Sequence, residues 1–500
     1  MKRYRLLAAL LILVTVAVTA TPAFAADPNP GQGTSEVFVM NTDSAATTTV
    51  TAEYYNQDGS FAVSVAAPLN TLGSAKLLAT GAPGLPDNWT GSMILSSTTD
   101  VASVATIHWA CTPPDCIPAG GDGIETSSYE GFPEGATKMY MPYAVYGPNS
   151  QYTVITVQNT GSVQASISMK YYNRDGTLDF TIPDTIAAGG QKMYDLHVAG
   201  AKIPVWTGSA WYNSHGNWSG AILIETGAGD QTIAAVANNF WMRYSISYKG
   251  ATAGNTKVFV PAVARRDPLD HNFFGVWLEH TIIAVQNLGS VPTNVRLTYV
   301  DAYGVIPNLV TTDLPVGANA GLSYNTRAGD SVIKDTFYPL GATWSGSVIV
   351  ESIGTGGNPA QDLAVVSYSI RPRDNEAGGA SGVSTISGGV DTFLPEIYQK
   401  GASGNDRTLW SFFHIQNVST DQATVTVKIL NRDGTVAYTN PDILLNGETG
   451  VKLNLRGTAV ADLGGNFEGA AYVHSTQPIS VVVDNLWALA QLATFNGYSK

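Results

Sequence analysis

Residues 163–176 read Val-Gln-Ala-Ser-Ile-Ser-Met-Lys-Tyr-Tyr-Asn-Arg-Asp-Gly, and this stretch decides the fold class. Apolar side chains occupy every second position from Val163 to Tyr171, and polar side chains stand between them. A period of two with one apolar face predicts a β-strand that is packed on one side. Asp175 and Gly176 then predict a hairpin turn, because glycine adopts the positive φ that such turns need.

The same pattern occurs four times along the chain. Each copy begins with an Asn at the end of an apolar strand, and a turn Gly follows 17 or 18 residues later. In the second half of each copy, an aromatic-x-Gly sequence opens another apolar strand. Spacing this constant indicates duplication of one unit. The landmark asparagines are Asn41, Asn159, Asn287 and Asn417, the turn glycines are Gly59, Gly176, Gly304 and Gly434, and the aromatic residues are Trp89, Trp218, Trp344 and Phe467.

The distance between copies predicts the size of the repeating unit. The landmark Asn recurs after 118, 128 and 130 residues, which suits a β-sandwich of about seven strands with its loops. Charged residues make up only 13% of the chain and glycines number 51, a composition typical of short strands joined by tight turns. We therefore expect an all-β protein with four tandem β-sandwich domains. The expected boundaries are 1–25 for a signal peptide, 26–130 for module one with a linker, 131–252 for module two, 253–383 for module three and 384–500 for module four.

Three copies are preceded by an aromatic-x-Pro sequence, namely Tyr140-Met141-Pro142, Phe259-Val260-Pro261 and Phe393-Leu394-Pro395. With the landmark Asn, the Asp-Gly hairpin and the Trp-x-Gly sequence, this order resembles the tandem immunoglobulin-like repeats of bacterial secreted and cell-surface proteins. The resemblance covers nearly the whole chain after residue 25. It implies an immunoglobulin-like β-sandwich fold and an extracellular location, but no activity. The first copy has no aromatic-x-Pro sequence before its Asn, which puts the completeness of module one in question.

The first 25 residues are expected to be a signal peptide. Lys2, Arg3 and Arg5 precede an apolar run, and Ala23-Phe24-Ala25 is a small-x-small cleavage site. No later run reaches the roughly 18 apolar residues that a spanning helix needs. We therefore expect a secreted or surface-associated extracellular protein with no membrane span once the signal peptide is removed.

The acidic charge of the chain narrows the range of partners. The formal net charge is −13, and removal of a signal peptide that carries three cations would make it more negative. Such a chain repels the phosphates of nucleic acids, so we expect no nucleic-acid partner.

Cys111 and Cys116 are the two cysteines of the chain and enclose Thr-Pro-Pro-Asp. An exported chain meets oxidising conditions, and the short separation favours a local disulfide between them. A metal site is the alternative, but it would need two further ligands and only His108 is near in sequence.

Sequence patterns for catalysis or cofactor binding are absent. We find no Gly-x-Ser-x-Gly nucleophile elbow, phosphate loop or dinucleotide fingerprint. The Asp-Gly turns lack the closing Glu of a calcium loop, so a plain hairpin explains them better. His271 and His280 share one insertion with Asp270 and Glu279, which we interpret as a solvated loop and not as a metal site. We therefore expect no enzyme activity, no metal and no cofactor.

The repeated polar and aromatic landmarks also have structural interpretations. A side-chain amide that recurs at the end of one strand is expected to satisfy the backbone of the adjoining loop. The aromatic residue before x-Gly is expected to fill the core beside a bend in its strand.

Two insertions are rich in aromatic residues and are the candidate ligand-binding sites. Aromatic faces stack on sugar rings and Asn amides bond hydroxyl groups, so an exposed cluster of this kind could bind polysaccharide. The alternative is a loop folded onto its own module. The candidates in module two are Trp206, Trp211, Tyr212, Asn213 and His215, and those in module three are Phe273, Phe274 and Trp277.

The function expected from these observations is that of a non-enzymatic spacer and adhesion protein, secreted or displayed at the cell surface as a rod of four modules. Its expected partner is a polysaccharide or another cell-surface protein. One alternative is an array of carbohydrate-binding modules that uses the aromatic insertions. The second alternative is a subunit of an extracellular filament or surface layer.

Self-association is a further expectation, because an incomplete module one would leave a sheet edge with unpaired backbone groups. The donor strand could be the C-terminal tail from Leu492 to Tyr498 if module four does not already use it. The alternative is that Glu36 to Val39 completes module one within the chain.

Overall fold

The computed structural model of the chain is built from antiparallel β-strands. It describes residues 10–14, 32–78, 82–110, 124–147, 151–196, 218–227, 231–241, 244–266, 278–302, 309–311, 313–327, 340, 343–371, 376–384, 387–401, 407–457, 462–487 and 491–500. No α-helix occurs among these residues, and accordingly none there could cross a membrane. The all-β prediction is confirmed.

The second copy of the sequence pattern shows how the strands pair. It contains eight strands, whose positions in chain order we name A to H. Positions D, C, F and A form one four-stranded layer, and positions E, B, G and H form the other. The two layers are joined where the ends of A and B pair, through Tyr146 and Tyr152. The strands are β9 (Lys138–Gly147), β10 (Gln151–Asn159), β11 (Ala165–Asn173), β12 (Leu178–Ile186), β13 (Gln191–Asp195), β14 (Trp218–Thr226), β15 (Ile233–Trp241) and β16 (Tyr244–Lys249).

The first copy, which we call repeat one, has the same order of pairing in two separate four-stranded sheets. Its position A is filled by residues of the expected signal peptide, because Leu10–Val14 pair antiparallel with the F strand. Glu36 to Val39 lie in its B strand, so they do not supply the missing strand. The strands are β1 (Leu10–Val14), β2 (Gln32–Asn41), β3 (Thr48–Asn56), β4 (Phe61–Leu69), β5 (Ser74–Leu78), β6 (Gly91–Ser96), β7 (Val101–Ala110) and β8 (Ile124–Glu130).

Repeat three keeps this order but divides position D into two short strands, both paired with C. A short strand after H returns to pair with A. The strands are β17 (Lys257–Arg266), β18 (Glu279–Asn287), β19 (Thr293–Asp301), β20 (Leu309–Val310), β21 (Leu314–Val316), β22 (Gly321–Asn325), β23 (Thr343–Ser352), β24 (Leu363–Arg371), β25 (Glu376–Ser381) and β26 (Val383–Ser384).

Repeat four merges positions F and G into one long strand that pairs first in one layer and then in the other. The C-terminal tail is used inside this repeat, since both of its strands pair there. The strands are β27 (Gly389–Gly401), β28 (Arg407–Asn417), β29 (Ala423–Leu430), β30 (Val436–Thr439), β31 (Ile443–Leu445), β32 (Gly450–Asn454), β33 (Asn466–Trp487), β34 (Gln491–Asn496) and β35 (Tyr498–Ser499).

The core of each repeat lies between its two layers, as period-two strands require. In repeat three, Leu297 and Val348 of one layer pack in the same buried cluster as Ile283 and Val365 of the other. The C strand of repeat two alternates between buried and less buried residues from Ala165 onward. This facing of two apolar surfaces is the β-sandwich arrangement.

The strand order differs from the immunoglobulin arrangement that the resemblance implied. In immunoglobulin domains the last two strands, F and G, are neighbours in one sheet. Here the chain crosses to the other layer after position F, so that position G pairs with position B. The A strand takes the place beside F. The feature shared with immunoglobulin domains is the two-layer sandwich.

The aromatic-x-Pro sequence lies in the A strand, and its proline stands at a β-bulge. The pairing of A with F shifts register across Pro142, Pro261 and Pro395 in the three repeats that have the sequence. Proline has no backbone N–H to give to a ladder, so a bulge is where a paired strand accepts it.

The landmark Asn has the structural role predicted for it. Asn159 donates through Nδ2 to the carbonyl oxygens of Val163 (2.7 Å) and Ile186 (3.0 Å), and its Oδ1 accepts from the amide of Gly161. The other three landmark asparagines make the same kind of bonds to their own loops. One side chain therefore satisfies backbone hydrogen-bonding groups of both the B–C and the D–E connections, which meet at this end of the sandwich.

The aromatic-x-Gly sequence brings a ring over the backbone of a neighbouring strand. Trp218 is buried, and the ring covers Gly220, where a Cβ atom would lie 2.0 Å from the carbonyl oxygen of Tyr172. The indole Nε1 donates to Asn173 Oδ1 at 3.0 Å. The motif needs Gly because the F and C strands approach too closely there for any side chain.

The four repeats form a closed ring, not the rod that we expected. The H strands β8, β16, β25 and β34 pack together at the centre, each against the next and the last against the first. At the outside, Gln191 N donates to Gln57 O between repeats two and one, and Ser74 N donates to Arg432 O between repeats one and four. The contact between the first and last repeats excludes an extended arrangement with separated ends.

The Asp-Gly turn takes part in these outer contacts. Gly59, Gly176 and Gly434 have φ values of 87°, 86° and 87°. A Cβ atom on Gly176 would lie 2.1 Å from the carbonyl oxygen of Ala318 in repeat three. The turn is therefore constrained both by its own backbone and by the next repeat.

Replacement of Gly176 by valine is expected to lower the free energy of unfolding by about 2–6 kcal/mol. The positive φ accounts for about 1–3 kcal/mol, and the overlap with the next repeat adds a similar amount. Gly357 is the matched control, because it has φ 92° but a Cβ atom there would meet nothing within 4 Å. Urea unfolding should show a clearly smaller loss for Gly357→Val, and equal losses would contradict an inter-repeat contact at Gly176.

Candidate functional site

The ligand-binding residues proposed from the sequence lie outside the described part of the chain. Residues 197–217 contain the candidates of repeat two, and residues 267–277 contain those of repeat three. Cys111 and Cys116, and the turn residue Gly304, also lie outside it, so the disulfide stays a prediction.

The strands that flank these segments can be placed. Residues 197–217 connect positions E and F of repeat two, 267–277 connect A and B of repeat three, and 111–123 connect G and H of repeat one. Since the strands are antiparallel, the A–B, E–F and G–H connections all leave from one end of a sandwich, which we call its loop end. All three segments are therefore attached at loop ends.

The H strands at the centre run in one direction. Thr126 and Glu130 of β8 bond Gln491 and Asn496 of β34, so the register advances in the same direction along both strands. Ser127 of β8 is bonded to Ser247 of β16 at 2.7 Å, and Glu130 pairs with Lys249 further along. In β25, a Cβ atom on Gly379 would contact Ile246 of β16, and Ser381 bonds Lys249 O. The four G–H connections consequently enter the centre from the same side.

The centre is held together by polar side chains as well as by packing. Glu130 Oε1 accepts from Asn496 Nδ2 and pairs with Lys249 Nζ, both at 3.1 Å, and so it links repeats four, one and two. Thr126 Oγ1 donates to Gln491 Oε1 at 2.6 Å. Buried polar networks of this kind specify one arrangement, because any other would leave the groups unpaired.

The A strands form much of the contact between neighbouring repeats. Each of them lies against the B or G strand of the repeat that follows. The aromatic residue of the aromatic-x-Pro sequence packs across this contact: Phe259 clusters with Val418 of repeat four, and Phe393 with Met40 and Ala102 of repeat one. At the bulge of repeat two, the ring of Tyr143 lies 5.5 Å from that of Tyr368 in repeat three.

A cluster of buried charges lies where repeats three and four meet. Glu279 pairs with Arg371 at 3.3 Å and with Arg266 at 3.4 Å, all within repeat three. Asp484 of repeat four accepts from His414 at 3.1 Å and from Thr494 at 2.8 Å.

Aromatic contacts join the two halves of this cluster. The guanidinium of Arg371 lies 5.9 Å from the ring centre of Phe412, and Lys452 Nζ lies 4.4 Å from the same ring. Cations over an aromatic face are attracted by its negative charge density. A small cavity adjoins the cluster and is lined by Pro261, Ala302, Ser345, Gly346, His414, Gly450, Val451 and Lys452.

The charges of this cluster compensate one another. Burial opposes ionisation of Glu279, but Arg371, Lys452 and Arg266 together hold its pKa below the usual value. Burial likewise opposes ionisation of Asp484, yet the bond from His414 brings its pKa down. Burial, with Lys452 nearby, lowers the pKa of His414. The arrangement neutralises charge across the interface between repeats three and four.

The structure shows that the sequence-based interpretation of Glu279 and His280 as residues of a solvated loop is wrong. We placed both in a solvated loop, whereas they are the first residues of β18 and are buried. The clue in the sequence was their position directly before the apolar strand Thr281 to Val285. Groups of three or more metal-binding side chains do not occur among the described residues.

A different buried carboxyl lies between repeats four and one. Glu396 lies next to Pro395 in the bulge of β27. Its carboxyl group accepts hydrogen bonds from Thr106 Oγ1 of repeat one at 2.8 Å and from Tyr398 OH at 2.9 Å. Burial raises its pKa to about 7, although the bonds from Thr106 and Tyr398 favour ionisation. His108 and Glu36 of repeat one are the other titratable groups that act on it.

Glu396→Gln is expected to make the stability of the chain less sensitive to a rise in pH from about 5 to about 8. A carboxyl whose folded-state pKa is raised is favoured in its protonated form, so stability falls as the pH rises from about 4.5 to about 7. Removing the titration should abolish about 2–3 kcal/mol of this loss. Urea unfolding of both chains at pH 5 and pH 8 measures the effect, and an identical pH dependence would show that Glu396 is not the group responsible.

Comparisons with known proteins give no family. No protein-family description and no curated protein matches the chain. Among solved structures, protein 1070 of Thermotoga maritima aligns with 15% identity over 23% of this chain and 96% of its own, with a TM-score of 0.20. The chain of a structure titled "The Triple Jelly Roll Fold and Turret Assembly in an Archaeal Virus" aligns with 10% identity over 91% and 92%, with a TM-score of 0.16. Trypsin-activated α2-macroglobulin from Escherichia coli aligns with 10% identity over 96% and 39%, with a TM-score of 0.12. Similarity this low assigns neither a fold family nor a function.

Proposed function

We propose that the chain is exported and acts outside the cell as a non-enzymatic adhesion and spacer protein. In this proposal its four sandwich domains, with boundaries near residues 131, 253 and 384, form one rigid ring. The ring presents the connecting segments at its loop ends, which differ in length and sequence from one repeat to the next, to a polysaccharide or to another cell-surface protein. The observation that carries the proposal is the parallel arrangement of the H strands, which brings the four G–H connections to one side.

Several features support a role in binding and display. The two aromatic segments and the cysteine segment are all attached at loop ends. Loops held by a rigid scaffold are where binding residues usually lie. Several weak sites on one rigid body would add to a much stronger total attachment, because they can engage one surface together.

The chemistry of the described residues also favours binding over catalysis. The buried acidic groups are paired within or between repeats, and the cavity beside them is small. An active site would need a cleft with groups free to reach a substrate.

A carbohydrate-binding array is the second candidate. It is favoured by the sequences of the aromatic segments 197–217 and 267–277, which contain Trp211 and Trp277 and join strands that end at loop ends. Stacking of sugar rings on tryptophan gives such sites their affinity.

A glycan array probed with the full chain separates these candidates. We expect saturable glycan binding that Trp211→Ala weakens at least tenfold if the carbohydrate-binding function is correct. Leu444→Ala is the control, because Leu444 is exposed and lies in β31, which pairs with the first residues of β29 at the end of the sandwich opposite the loop end. Adhesion to cells without any glycan signal would favour a protein partner. Polymers of the exported chain in electron micrographs would instead favour the filament or surface-layer alternative.

A further inference from the structure

Lys452 lies at the contact between repeats three and four without a carboxylate beside it. Its Nζ stands 4.4 Å from the ring centre of Phe412, and no carboxylate of the described residues is close enough to form an ion pair with it. Glu279 and Asp484 are bonded to other groups and act on Lys452 only at longer range. Burial lowers the pKa of Lys452, and the attraction of these two carboxylates does not restore it. An ammonium group removed from water without an anion beside it is unfavourable.

The equivalent lysine of repeat one has the partner that Lys452 lacks. Lys76 and Lys452 both stand opposite the residue three positions before the landmark Asn of the neighbouring B strand. Lys76 Nζ pairs with Glu36 Oε1 at 2.5 Å. In repeat four the position of Glu36, five residues before the landmark Asn, is occupied by Phe412. A contact with an aromatic ring has therefore replaced an ion pair, and the positive charge has been kept.

The cavity beside Lys452 lies where two further side chains are shorter than at the equivalent contact. Between repeats four and one, Arg432 bonds Glu468, and its guanidinium lies 5.4 Å from the ring centre of Phe38. Between repeats three and four, the residue two positions before the turn Gly is Ala302 in place of an arginine. The residue between the aromatic and the Gly of aromatic-x-Gly is Ser345 in place of a glutamate. Both shorter residues line the cavity, which accounts for the space there.

The size and the lining of this cavity suit one small anion. The centre of a water-sized sphere can occupy about 10 Å³ of it, which is room for one water molecule or one monatomic ion. Lys452 brings a positive charge to the lining, and Ser345 brings a hydroxyl group that can donate a hydrogen bond. Among the described residues that line it there is no acidic side chain. This combination favours an anion over a metal cation.

We propose that the cavity binds one monatomic anion, with chloride as its natural occupant, which pairs with Lys452 and accepts a hydrogen bond from Ser345. The anion supplies to Lys452 the negative charge that Glu36 supplies to the equivalent lysine of repeat one. Because the lining comes from both repeats, bound chloride ties repeat three to repeat four. The site goes beyond the proposed function and does not depend on export or on an adhesive partner.

Urea unfolding of the full chain in chloride and in gluconate at equal ionic strength tests this proposal, since gluconate is too large for the cavity. The folding equilibrium constant should be about tenfold higher in about 0.2 M sodium chloride, as for a ligand at about ten times its Kd. Lys452→Met should remove this difference, and Lys428→Met should keep it. Lys428 is the matched control, because its Nζ also lies over an aromatic ring, 5.9 Å from the centre of Tyr472, but it does not line the cavity.

Ser345→Glu is a second variant that keeps the lysine. It places a carboxylate where repeat four has Glu468, and this group can take the place of the anion. Chloride should therefore no longer stabilise the variant relative to gluconate. In crystals of the unchanged chain grown with bromide, an anomalous scattering peak is expected beside Lys452 Nζ.

The opposite results would each overturn the anion site. Equal stability of the unchanged chain in the two salts would mean that the cavity holds no anion. A chloride effect of the same size in Lys452→Met would be a general effect of salt, and one of the same size in Ser345→Glu would place the anion elsewhere. Loss of the effect in Lys428→Met as well would assign it to the overall charge of repeat four. All of these results leave the proposed adhesive function untouched.

Discussion

Trp218→Ala is expected to lower the free energy of unfolding of the chain by about 3–5 kcal/mol. The side chain is 1% exposed, and its ring packs edge-on against Tyr171 with the centroids 6.0 Å apart. Truncation would leave a cavity over Gly220 and would deprive Asn173 Oδ1 of its donor. Urea unfolding followed by far-ultraviolet circular dichroism measures the loss without relying on the tryptophan signal.

The chain itself supplies the control for this change. Repeat four has Phe467 at the equivalent position, with its ring over Gly469. Trp218→Phe should therefore keep most of the packing and lose only the hydrogen bond, at a cost of about 1–2 kcal/mol. A loss as large as that of Trp218→Ala would mean that the indole N–H, and not the volume of the ring, is what this position requires.

Arg371→Met is expected to have a similarly large effect, about 3–5 kcal/mol at pH 7. The change removes the buried cation from Glu279 and leaves a buried carboxylate with weaker compensation. Breaking one member of a buried pair costs more than replacing both, because the remaining charge stays desolvated. The double variant Arg371→Met, Glu279→Gln should therefore recover most of the lost stability.

The pH dependence of this variant provides an independent check. Because the pKa of Glu279 is lowered in the folded chain, its contribution to stability is present above about pH 4.5 and is lost on acidification. The difference between Arg371→Met and the unchanged chain should shrink as the pH falls toward 3. A difference that stays constant in urea unfolding between pH 7 and pH 3 would attribute the loss to packing alone.

The strands could be predicted from the sequence because their signal is local. The alternation from Ala165 to Tyr171, the turn at Gly176 and the aromatic at Trp218 each specify a strand or a turn within a few residues. The landmark Asn could be interpreted for the same reason, since Asn159 bonds Gly161 and Val163 close by in sequence.

The arrangement of the repeats could not be predicted in this way. The contact of Phe259 with Val418 joins residues of different repeats, and nothing near Phe259 specifies its partner. The strand order could not be predicted either. The same alternating pattern is compatible with a strand at position G that pairs with B and with one that pairs with F. The resemblance to immunoglobulin repeats supplied an order that this chain does not follow.

The buried charges were missed because sequence context alone does not distinguish them from surface charges. Glu279 follows an insertion and resembles a loop residue until Arg371 is known to lie beside it. Glu396 stands next to the proline of an aromatic-x-Pro sequence, and its burial arises only when repeat four meets Thr106 of repeat one.

Closure of the ring limits how the gene can change. Linear arrays of repeats can gain or lose units by unequal recombination, because each unit contacts only its neighbours. Here β8 packs against β34 as well as against β16, and Arg432 of the last repeat bonds Ser74 of the first. A chain with three or five units would either lose the contacts that close the ring or have to change the geometry of every contact between neighbouring units. The copy number is consequently part of the fold, and duplication or deletion of one unit should be selected against even where single substitutions are tolerated.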